Sequence, residues 1–394
     1  MAAAELLVGV IGAGAMGCGI AQVAAAAGHN VVLGDAVPDA VERARTSIGA
    51  SLDREVAKGR VDRAAADATL ERITGSGDLA MGYDAYRECG LVVEAVAEKL
   101  DVKTMVFRNL EDTVSAECVL GTNTSSLSIA AIAGGCQRSS RVIGIHFFNP
   151  ATAMPLVEII PAITADRGMA ERIRALIDGW GKITVVSTDT PGFIVNRVAR
   201  PFYGEAIRML EEGIADEPTI DWAMRELGGF RMGPFELMDF IGHDINFAVT
   251  QSVYAGFFFD PRYRPSVTQQ RLVEAGYLGR KRDRGFYDYR DAARRPEPTR
   301  DESLGRIVLD RTLAMLVNEA VEAVASRVAS PSEIETAMTR GVNYPKGLLA
   351  WGDAIGPAKV LAQLDSLFSE YGDPRYRAST LLRRQVRDGR SLLT

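Results

Sequence analysis

The stretch of this chain with the clearest capacity for proton transfer is residues 142–160, VIGIHFFNPATAMPLVEII. One apolar run contains His146, a turn follows at Asn149-Pro150, and a second apolar run carries Glu158. The chain has only three histidines, and a histidine with a carboxylate partner is the usual acid–base unit near neutral pH. The alternative is a core histidine that hydrogen-bonds to the backbone, beside a surface glutamate. The rest of the sequence has to decide between them.

A second candidate for chemistry is the glycine-rich stretch near the N-terminus. The apolar run Val8–Ile11 leads into Gly12-x-Gly14-x-x-Gly17, followed by an alanine-rich helical segment, a second apolar run and Asp35. In this pattern the glycines permit a tight turn, the approach of a pyrophosphate and close packing of helix on strand. The helix N-terminus attracts phosphate, and a carboxylate at position 35 can bind a ribose while repelling a 2′-phosphate. A dinucleotide site that prefers NAD to NADP is predicted, the alternative being a glycine-rich turn in another α/β unit.

Polar side chains also cluster directly after the short apolar run 118–121. Serine and threonine commonly cap the N-terminus of a helix, but Asn123, Thr124, Ser125 and Ser126 supply more polar groups than one cap requires. Ligands bind at the carboxyl ends of the strands in an open α/β sheet. We therefore expect this cluster to face a ligand.

Composition and charge limit the classes of function. The 394 residues are 47% hydrophobic and carry a formal net charge of −6, which argues against a nucleic-acid-binding protein because no basic excess opposes the phosphates. The four cysteines have no metal-binding spacing, and no apolar run reaches the length of a membrane span. An apolar strand begins too close to the N-terminus for a signal peptide. We expect a cytoplasmic protein of two or three domains without a metal or a membrane partner.

Strand-like and helical segments alternate to about residue 188, which predicts an α/β domain with a parallel sheet over residues 1–188. Residues 38–71 are polar and helical, with a break near Gly59. They are expected to protrude from the sheet, either as a solvated hairpin or as a basic clasp for an anionic ligand. From Asp189 onward helical periodicity replaces strand-like runs, with a helix expected to begin at Pro191, so residues 189–290 are predicted to be an all-helical domain.

The helical part of the sequence is duplicated. Residues 196–242 match residues 310–356 at a constant offset of 114, and the pentapeptide DPRYR of residues 260–264 recurs at residues 373–377. Residues 291–302 are the predicted linker and residues 303–394 the second copy. Two related units that bury matching faces would resemble a twofold dimer interface within one chain. Because the first copy has Asn196 where the second has Asp310, one active site is expected.

Together these segments resemble the 3-hydroxyacyl-CoA dehydrogenase family over about residues 6–290. The motifs that carry the resemblance are GAGAMGCGIA, VVEAVAE, NTSSLSI, GIHFFNPATAMPLVEI, DTPGFIVNR, MGPFELMD and LGRKRDRGFYDY. The second copy, with RTLAMLVNEA and GVNYPKGLLAW, is similar to the extra C-terminal domain of longer bacterial members. The resemblance implies a Rossmann-type NAD-binding α/β domain followed by two related all-α domains, similar to the C-terminal helical domain of 6-phosphogluconate dehydrogenase.

The resemblance also implies roles for individual residues. His146 would be the catalytic base and Glu158 its partner. Ser125 and Asn196 would contact the reacting oxygen of the substrate or its surroundings. Because Asn196 belongs to the helical domain and His146 to the α/β domain, the resemblance implies a site in a cleft between domains.

Contacts to the coenzyme and to the cofactor follow from the same resemblance. Coenzyme A contacts fall on Ser51 and Lys58, and Ser125 would contact the cofactor as well as the substrate. The sequence departs from the family at Arg282-Asp283, where a Thr-Gly turn is common, which weakens the role implied for the preceding lysine. The NAD contacts are the glycine loop and a set of polar residues: Gly12, Gly14, Ala15, Met16, Gly17, Asp35, Glu98, Lys103, Asn123, Ser125, Asn149 and Lys281.

The resemblance implies reversible, NAD-dependent oxidation of an (S)-3-hydroxyacyl-CoA to the 3-oxoacyl-CoA, in fatty-acid or aromatic-compound catabolism. Short-chain 3-hydroxybutyryl-CoA and 3-hydroxyadipyl-CoA both stay open as substrates, as does a homodimer. One alternative is a non-catalytic NAD-binding relative with a structural role, but the residues of the implied site are all present. Another is a β-hydroxyacid dehydrogenase with a catalytic lysine, but residues 196–200, NRVAR, contain none.

Overall fold

The computed structural model describes residues 6–77, 79, 82–291 and 293–394. The chain divides into two compact units, residues 1–190 and residues 191–394. This division falls two residues after the boundary at 188/189 that the sequence predicts. Among the described residues, no helix combines the length and the apolar character needed to cross a membrane.

The first unit contains an eight-stranded sheet. In chain order its strands are β1 (Val8–Ile11), β2 (Val31–Gly34), β3 (Ile73–Gly75), β4 (Leu91–Glu94), β5 (Val119–Thr122), β6 (Val142–Phe147), β7 (Leu156–Pro161) and β8 (Ile183–Val186). The spatial order is β3-β2-β1-β4-β5-β6-β7-β8. All neighbours pair in parallel except β6 and β7. The strands are short, buried and rich in valine, isoleucine and leucine, as a sheet covered on both faces requires, and the predicted α/β fold is confirmed.

Six α-helices accompany this sheet in the described part of the first unit: α1 (Ala15–Ala26), α2 (Ala40–Ala57), α3 (Arg63–Glu71), α4 (Leu100–Thr113), α5 (Ile129–Ala133) and α6 (Met169–Gly179). Helices α2 and α3 lie within residues 38–71, which the sequence predicts to be helical with a break near Gly59, and Gly59 between them has a φ of 68°. A glycine adopts this left-handed conformation without the steric cost of a Cβ. The buried side of α2 consists of Ala40, Ala44, Ile48 and Leu52.

The antiparallel pairing of β6 with β7 is the one departure from a parallel sheet. The connection between them, residues 148–155, is too short for the crossover of a dozen or more residues that a parallel pair needs. The chain therefore reverses, and the register sets His146 opposite Glu158. Sequence patterning predicted both apolar runs, but it did not predict this pairing.

The described part of the second unit is helical, as predicted. Its helices are α7 (Val195–Val198), α8 (Arg200–Glu211), α9 (Glu217–Trp222, continued by a π-helical segment, Ala223–Leu227), α10 (Pro234–Ile241), α11 (His243–Gly256), α12 (Val267–Glu274), α13 (Glu302–Ala325), α14 (Pro331–Gly341), α15 (Leu348–Ile355), α16 (Pro357–Tyr371) and α17 (Thr380–Asp388).

Two details of the second unit differ from the sequence expectations or refine them. The first helix begins at Val195 and not at Pro191, because Gly192 and Phe193 both have positive φ, 77° and 48°, which a right-handed helix cannot contain. Helix α13 begins within the predicted linker, at Glu302. The Asp301 side chain caps it by accepting hydrogen bonds from the first backbone N–H groups.

The helices of the two sequence copies correspond. Helix α10 and helix α15 are related by the offset of 114 at both ends, and α9 with its π-helical segment corresponds in the same way to α14. Buried ion pairs are exchanged between equivalent positions: Arg197 Nε lies 2.7 Å from Glu319 Oε1, and Arg311 Nε lies 2.9 Å from Glu205 Oε2. Reciprocal contacts of this kind are typical of an isologous interface, so they support the prediction that two related copies face each other within one chain.

Breaking one exchanged ion pair should destabilise the protein. In Glu319→Gln the Arg197 guanidinium stays buried without its carboxylate, which costs about 3–5 kcal/mol. For a cooperative unit of this size we expect Tm to fall by roughly 6–20 °C, measured by circular dichroism. The control is Asp53→Asn, which removes an exposed partner of Arg63 and should leave Tm nearly unchanged. Equal Tm values for the two variants would contradict a stabilising role of the exchanged pair.

Candidate active site

The pair of His146 and Glu158 has the geometry of an acid–base unit. The two residues lie opposite each other on β6 and β7, where side chains on one face of adjacent strands come together. His146 Nδ1 lies 2.7 Å from Glu158 Oε2, and both side chains are buried. A carboxylate at Nδ1 fixes the imidazole tautomer with its proton on that nitrogen, so proton acceptance falls to Nε2.

The glycine loop has the shape that a dinucleotide requires. Gly12 has a φ of 105°, and a Cβ there would lie 2.4 Å from the carbonyl oxygen of Ala95. A Cβ at Gly17 would lie 1.7 Å from the carbonyl oxygen of Gly12, whereas a Cβ at Gly14 would meet no atom within 4 Å. Gly12 and Gly17 are therefore needed for packing, while Gly14 borders open space at the N-terminus of α1. This open space beside unpaired helix N–H groups fits the pyrophosphate of NAD.

Asp35 is held beside the glycine loop. It follows β2 directly, and its Oδ2 accepts a hydrogen bond of 2.7 Å from Ala13 N while its Oδ1 accepts one of 2.8 Å from Val37 N. A carboxylate has about four lone-pair sites, so it retains capacity for the hydroxyl groups of a ribose. The residues at this end of the sheet thus fit an adenosine as well as a pyrophosphate.

Glu98 organises the polar turn after β5. Its Oε1 accepts hydrogen bonds from Thr124 Oγ1 at 2.6 Å, Ser125 N at 3.0 Å, and both N and Oγ of Ser126 at 3.2 and 2.9 Å. Burial alone would raise the pKa of Glu98, but Lys103 and the donors of the turn outweigh it and hold that pKa below its usual value. The ionised carboxylate thereby fixes the backbone that carries Ser125.

Lys103 lies between two carboxylates. Its Nζ is 2.7 Å from Glu94 Oε1 and 3.2 Å from Glu98 Oε2, and its side chain is only 1% exposed. Glu94 also accepts a hydrogen bond of 2.7 Å from Thr122 Oγ1, and burial raises its pKa. This position favours a role for Lys103 in holding Glu98 over the direct NAD contact that the family resemblance implies.

Sequence analysis overlooked Glu94, although a signal was present. The buried strand run LVVEAVAE contains a carboxylate where a parallel strand is otherwise apolar. A charge at such a position requires a partner, and the partner is Lys103, nine residues later on α4. Only the packing of α4 against the sheet could show which lysine it is.

Asn123 directly follows β5, and Asn149 lies two residues after the end of β6. Asn123 Oδ1 accepts a hydrogen bond of 2.8 Å from Phe147 N, which ties the end of β5 to the strand that carries His146. Asn149 is exposed and precedes a cis peptide bond to Pro150. Ala15 and Met16 are the first two residues of α1. The first unit thus brings together the glycine loop, Asp35, the turn of Ser125 and the His146–Glu158 pair.

The other predicted residues lie on or just after α2, or in the second unit. Ser51 is half-buried on α2. Lys58 directly follows α2, is exposed, and forms an ion pair with Glu55 at 2.9 Å. In the second unit, Asn196 is half-buried on α7, and Lys281 is exposed with its Nζ 2.6 Å from Asp244 Oδ1. The roles assigned to these residues stay predictions.

Comparison with known proteins identifies the family. The model of the 3-hydroxyacyl-CoA dehydrogenase NAD-binding domain matches residues 7–190, and the model of the C-terminal domain of the same enzymes matches residues 192–289 and residues 307–392. The chain belongs to the 3-hydroxyacyl-CoA dehydrogenase family. It is an NAD-dependent oxidoreductase that acts on 3-hydroxyacyl-CoA, as the sequence predicted.

Individual members of the 3-hydroxyacyl-CoA dehydrogenase family match most of the chain. The 3-hydroxyadipyl-CoA dehydrogenase of Escherichia coli K12 is 37% identical, over 96% of this chain and 97% of that protein. The 3-hydroxybutyryl-CoA dehydrogenase of Bradyrhizobium diazoefficiens is 43% identical, over 76% of this chain and 100% of its own length. A crystal structure of an E. coli 3-hydroxybutyryl-CoA dehydrogenase has a TM-score of 0.90 at 36% identity, and the match covers 97% of this chain and 98% of that chain.

The preference of this dehydrogenase for NAD should depend on Asp35. In Asp35→Ala the carboxylate that would repel a 2′-phosphate is absent, and its hydrogen bond to Ala13 N is lost. We expect the ratio of kcat/KM for NAD to that for NADP to fall by at least about tenfold, in line with a charge interaction of 1–2 kcal/mol. An unaltered ratio, measured at fixed ionic strength, would contradict the role of Asp35.

The role of Lys103 can be tested by a double-mutant cycle with Ser125. Glu94→Gln/Lys103→Met removes the inner ion pair without leaving an unpaired charge at position 94. If the Glu94–Lys103 pair acts through Ser125, the double substitution should lower kcat/KM for the acyl-CoA by about tenfold in the wild-type background. In a Ser125→Ala background it should lower kcat/KM much less, because the two sites are coupled. Equal effects in both backgrounds, together with a higher KM for NAD, would instead indicate a direct cofactor contact. The exposed Lys359→Met is the control variant and should change neither parameter.

Proposed function

We propose that His146 is the general base of this 3-hydroxyacyl-CoA dehydrogenase. Its Nε2 accepts the proton of the substrate hydroxyl as the alcohol is oxidised, and Glu158 stabilises the imidazolium that forms. The glycine loop and Asp35 would hold NAD, which would supply the acceptor for the hydride of the hydroxyl-bearing carbon. The observation that carries this proposal is the 2.7 Å contact between the buried His146 Nδ1 and Glu158 Oε2.

Ser125 and Asn196 complete the proposed catalytic residues. A hydroxyl and an amide can each donate a hydrogen bond to the substrate oxygen while its charge changes during the reaction. The four bonds between Glu98 and residues 124–126 support the proposal for Ser125, because they fix the turn that presents its side chain. For Asn196 the support is the match of DTPGFIVNR to the family motif.

The proposed substrates are short-chain 3-hydroxyacyl-CoA thioesters, either 3-hydroxybutyryl-CoA or 3-hydroxyadipyl-CoA. Relatives named for each of these substrates match this chain at 43% and 37% identity. The coenzyme A moiety would contact Ser51 and Lys58. In support of this, Lys58 Nζ lies 2.9 Å from Glu55 Oε1 and Arg60 Nη1 lies 3.2 Å from Glu55 Oε2. Glu55 thus holds two basic side chains together near the C-terminus of α2, where they can donate hydrogen bonds to phosphates.

The second helical copy is proposed to take the place of a partner subunit. Its exchanged ion pairs with the first copy support this proposal, as does the match of one family model to both segments. We propose one active site per chain, since only the first copy carries the asparagine at position 196. A further homodimer through another surface is compatible with this arrangement. The cytoplasm is the proposed location.

Replacement of His146 tests the proposed function directly. Purified protein should reduce acetoacetyl-CoA with NADH. The reaction is monitored by the loss of NADH absorbance at 340 nm. His146→Gln should lower kcat by about 10²–10⁴-fold, the usual contribution of a general base. Glu158→Gln should lower kcat by a smaller factor, because the imidazole of His146 is still present to accept the proton. The exposed Lys359→Met again provides the control. A His146→Gln turnover equal to that of wild type would refute His146 as the base.

A further inference from the structure

Arg200 is a buried arginine with an unusual environment. It is the first residue of α8 and is only 7% exposed. Its Nη1 donates to Thr250 Oγ1 at 3.0 Å and to the carbonyl oxygen of Asn246 at 3.4 Å. Its Nε is buried and has no hydrogen-bond partner among the residues that the structure describes. In the part of the chain that the structure describes, no aspartate or glutamate lies within ion-pair distance of Arg200, whereas Arg197 and Arg311 both have buried glutamate partners.

A second unsatisfied polar group lies in the same region. The hydroxyl of Tyr344, from the second copy, is also buried, and no described residue is its hydrogen-bond partner. Burial lowers the pKa of Arg200, and the nearby Tyr203 and Tyr344 oppose that shift. The guanidinium lies 4.9 Å from the centre of the Tyr203 ring. Arg200 Nε and Tyr344 OH are both hydrogen-bond donors, and a positive charge buried without a counter-charge is unfavourable. A carboxylate bound at Arg200 would supply an acceptor for Nε together with a counter-charge.

The second copy shows that the helical fold does not need these polar groups. At the offset of 114, Arg200 corresponds to Ala314 and its side-chain partner Thr250 to Leu364, and both second-copy residues are buried apolar side chains. Phe230 of the first copy corresponds to Tyr344 in the second. The same packing is therefore built without a guanidinium in one copy and with one in the other. The copy that contains Arg200 is the copy that contains Asn196.

We propose that Arg200 and Tyr344 bind the terminal carboxylate of the acyl chain, so that this dehydrogenase prefers 3-hydroxyacyl-CoA substrates with a carboxylate at the far end. The inference rests on the proposed role of Asn196 at the reacting oxygen. Arg200 is four residues after Asn196 in the chain and begins the helix that directly follows the one carrying Asn196. In a six-carbon dicarboxylic chain the terminal carboxyl carbon is three bonds beyond the carbon that bears the hydroxyl. A guanidinium is well suited to such a group because it can donate two parallel hydrogen bonds to one carboxylate.

The test compares two substrates of equal length. 3-Hydroxyadipyl-CoA and 3-hydroxyhexanoyl-CoA both have six acyl carbons and differ only in a terminal carboxylate or methyl group. Wild type should favour the adipyl substrate in kcat/KM by on the order of 100-fold, as expected for a buried charge pair. Arg200→Met should remove this preference through loss on the adipyl substrate while keeping or raising kcat/KM for the hexanoyl substrate. Tyr344→Phe should lower the preference by a smaller factor.

Two further variants make the comparison specific. Arg200→Lys retains a positive charge and should keep part of the preference, although a lysine cannot make the paired hydrogen bonds. Arg340→Met removes an exposed arginine of α14 and should leave kcat/KM for both substrates unchanged. Arg200→Ala introduces the residue found at the equivalent position of the second copy, Ala314. It replaces Arg200→Met in the test if the methionine variant does not fold. In wild-type protein, adipyl-CoA should also inhibit more strongly than hexanoyl-CoA, a measurement that needs no variant.

The outcomes separate this inference from the proposed function. Equal kcat/KM for the two six-carbon substrates in wild type, or an unchanged preference in Arg200→Met, would overturn the carboxylate site while leaving the dehydrogenase activity intact. Failure of the proposed function would instead appear as a wild type that oxidises neither these substrates nor 3-hydroxybutyryl-CoA.

Discussion

A carboxylate that is buried away from water must find a cation or hydrogen-bond donors inside the protein, and both units of this dehydrogenase depend on that constraint. Glu158 is satisfied in part by His146, and Glu98 by the turn that carries Ser125. Asp189 accepts hydrogen bonds from the backbone at the start of α5, at 3.0 and 2.7 Å. Each of these carboxylates fixes the position of the group that it contacts: the His146 ring, the turn after β5, or the start of α5. The proposed site is precise because its acidic residues need these partners.

The same constraint is repeated in the helical unit. Asp221 accepts hydrogen bonds from the backbone N–H groups at the start of α10, and its equivalent in the second copy, Glu335, does the same at the start of α15. The side chains differ by one methylene, yet the helix N-terminus is satisfied in both copies. Where the copies preserve a contact, that contact maintains the helical packing. Where they diverge, as at Arg200, packing alone does not explain the difference.

Parallel pairing brings the ligand-facing residues to one edge of the sheet. Ile11 pairs with both Gly34 and Glu94, and Glu94 pairs with Thr122, so the carboxyl ends of β1, β2, β4 and β5 are aligned. The glycine loop, Asp35 and the polar turn each begin immediately after one of these strand ends. Because all these strands run in the same direction, residues that are far apart in sequence meet at this edge.

The sequence alone determined the α/β fold, the glycine loop, the helical second unit and the candidate pair His146 and Glu158, since strand and helix periodicity and the stereochemistry of glycine are local properties. It also showed the duplication, because a constant offset needs no coordinates. Only the tertiary structure placed His146 opposite Glu158, paired Lys103 with Glu94, and showed that Arg200 has no carboxylate partner within the described parts of the chain. These three features depend on which side chains meet across strands and helices distant in sequence, and no local pattern encodes such contacts.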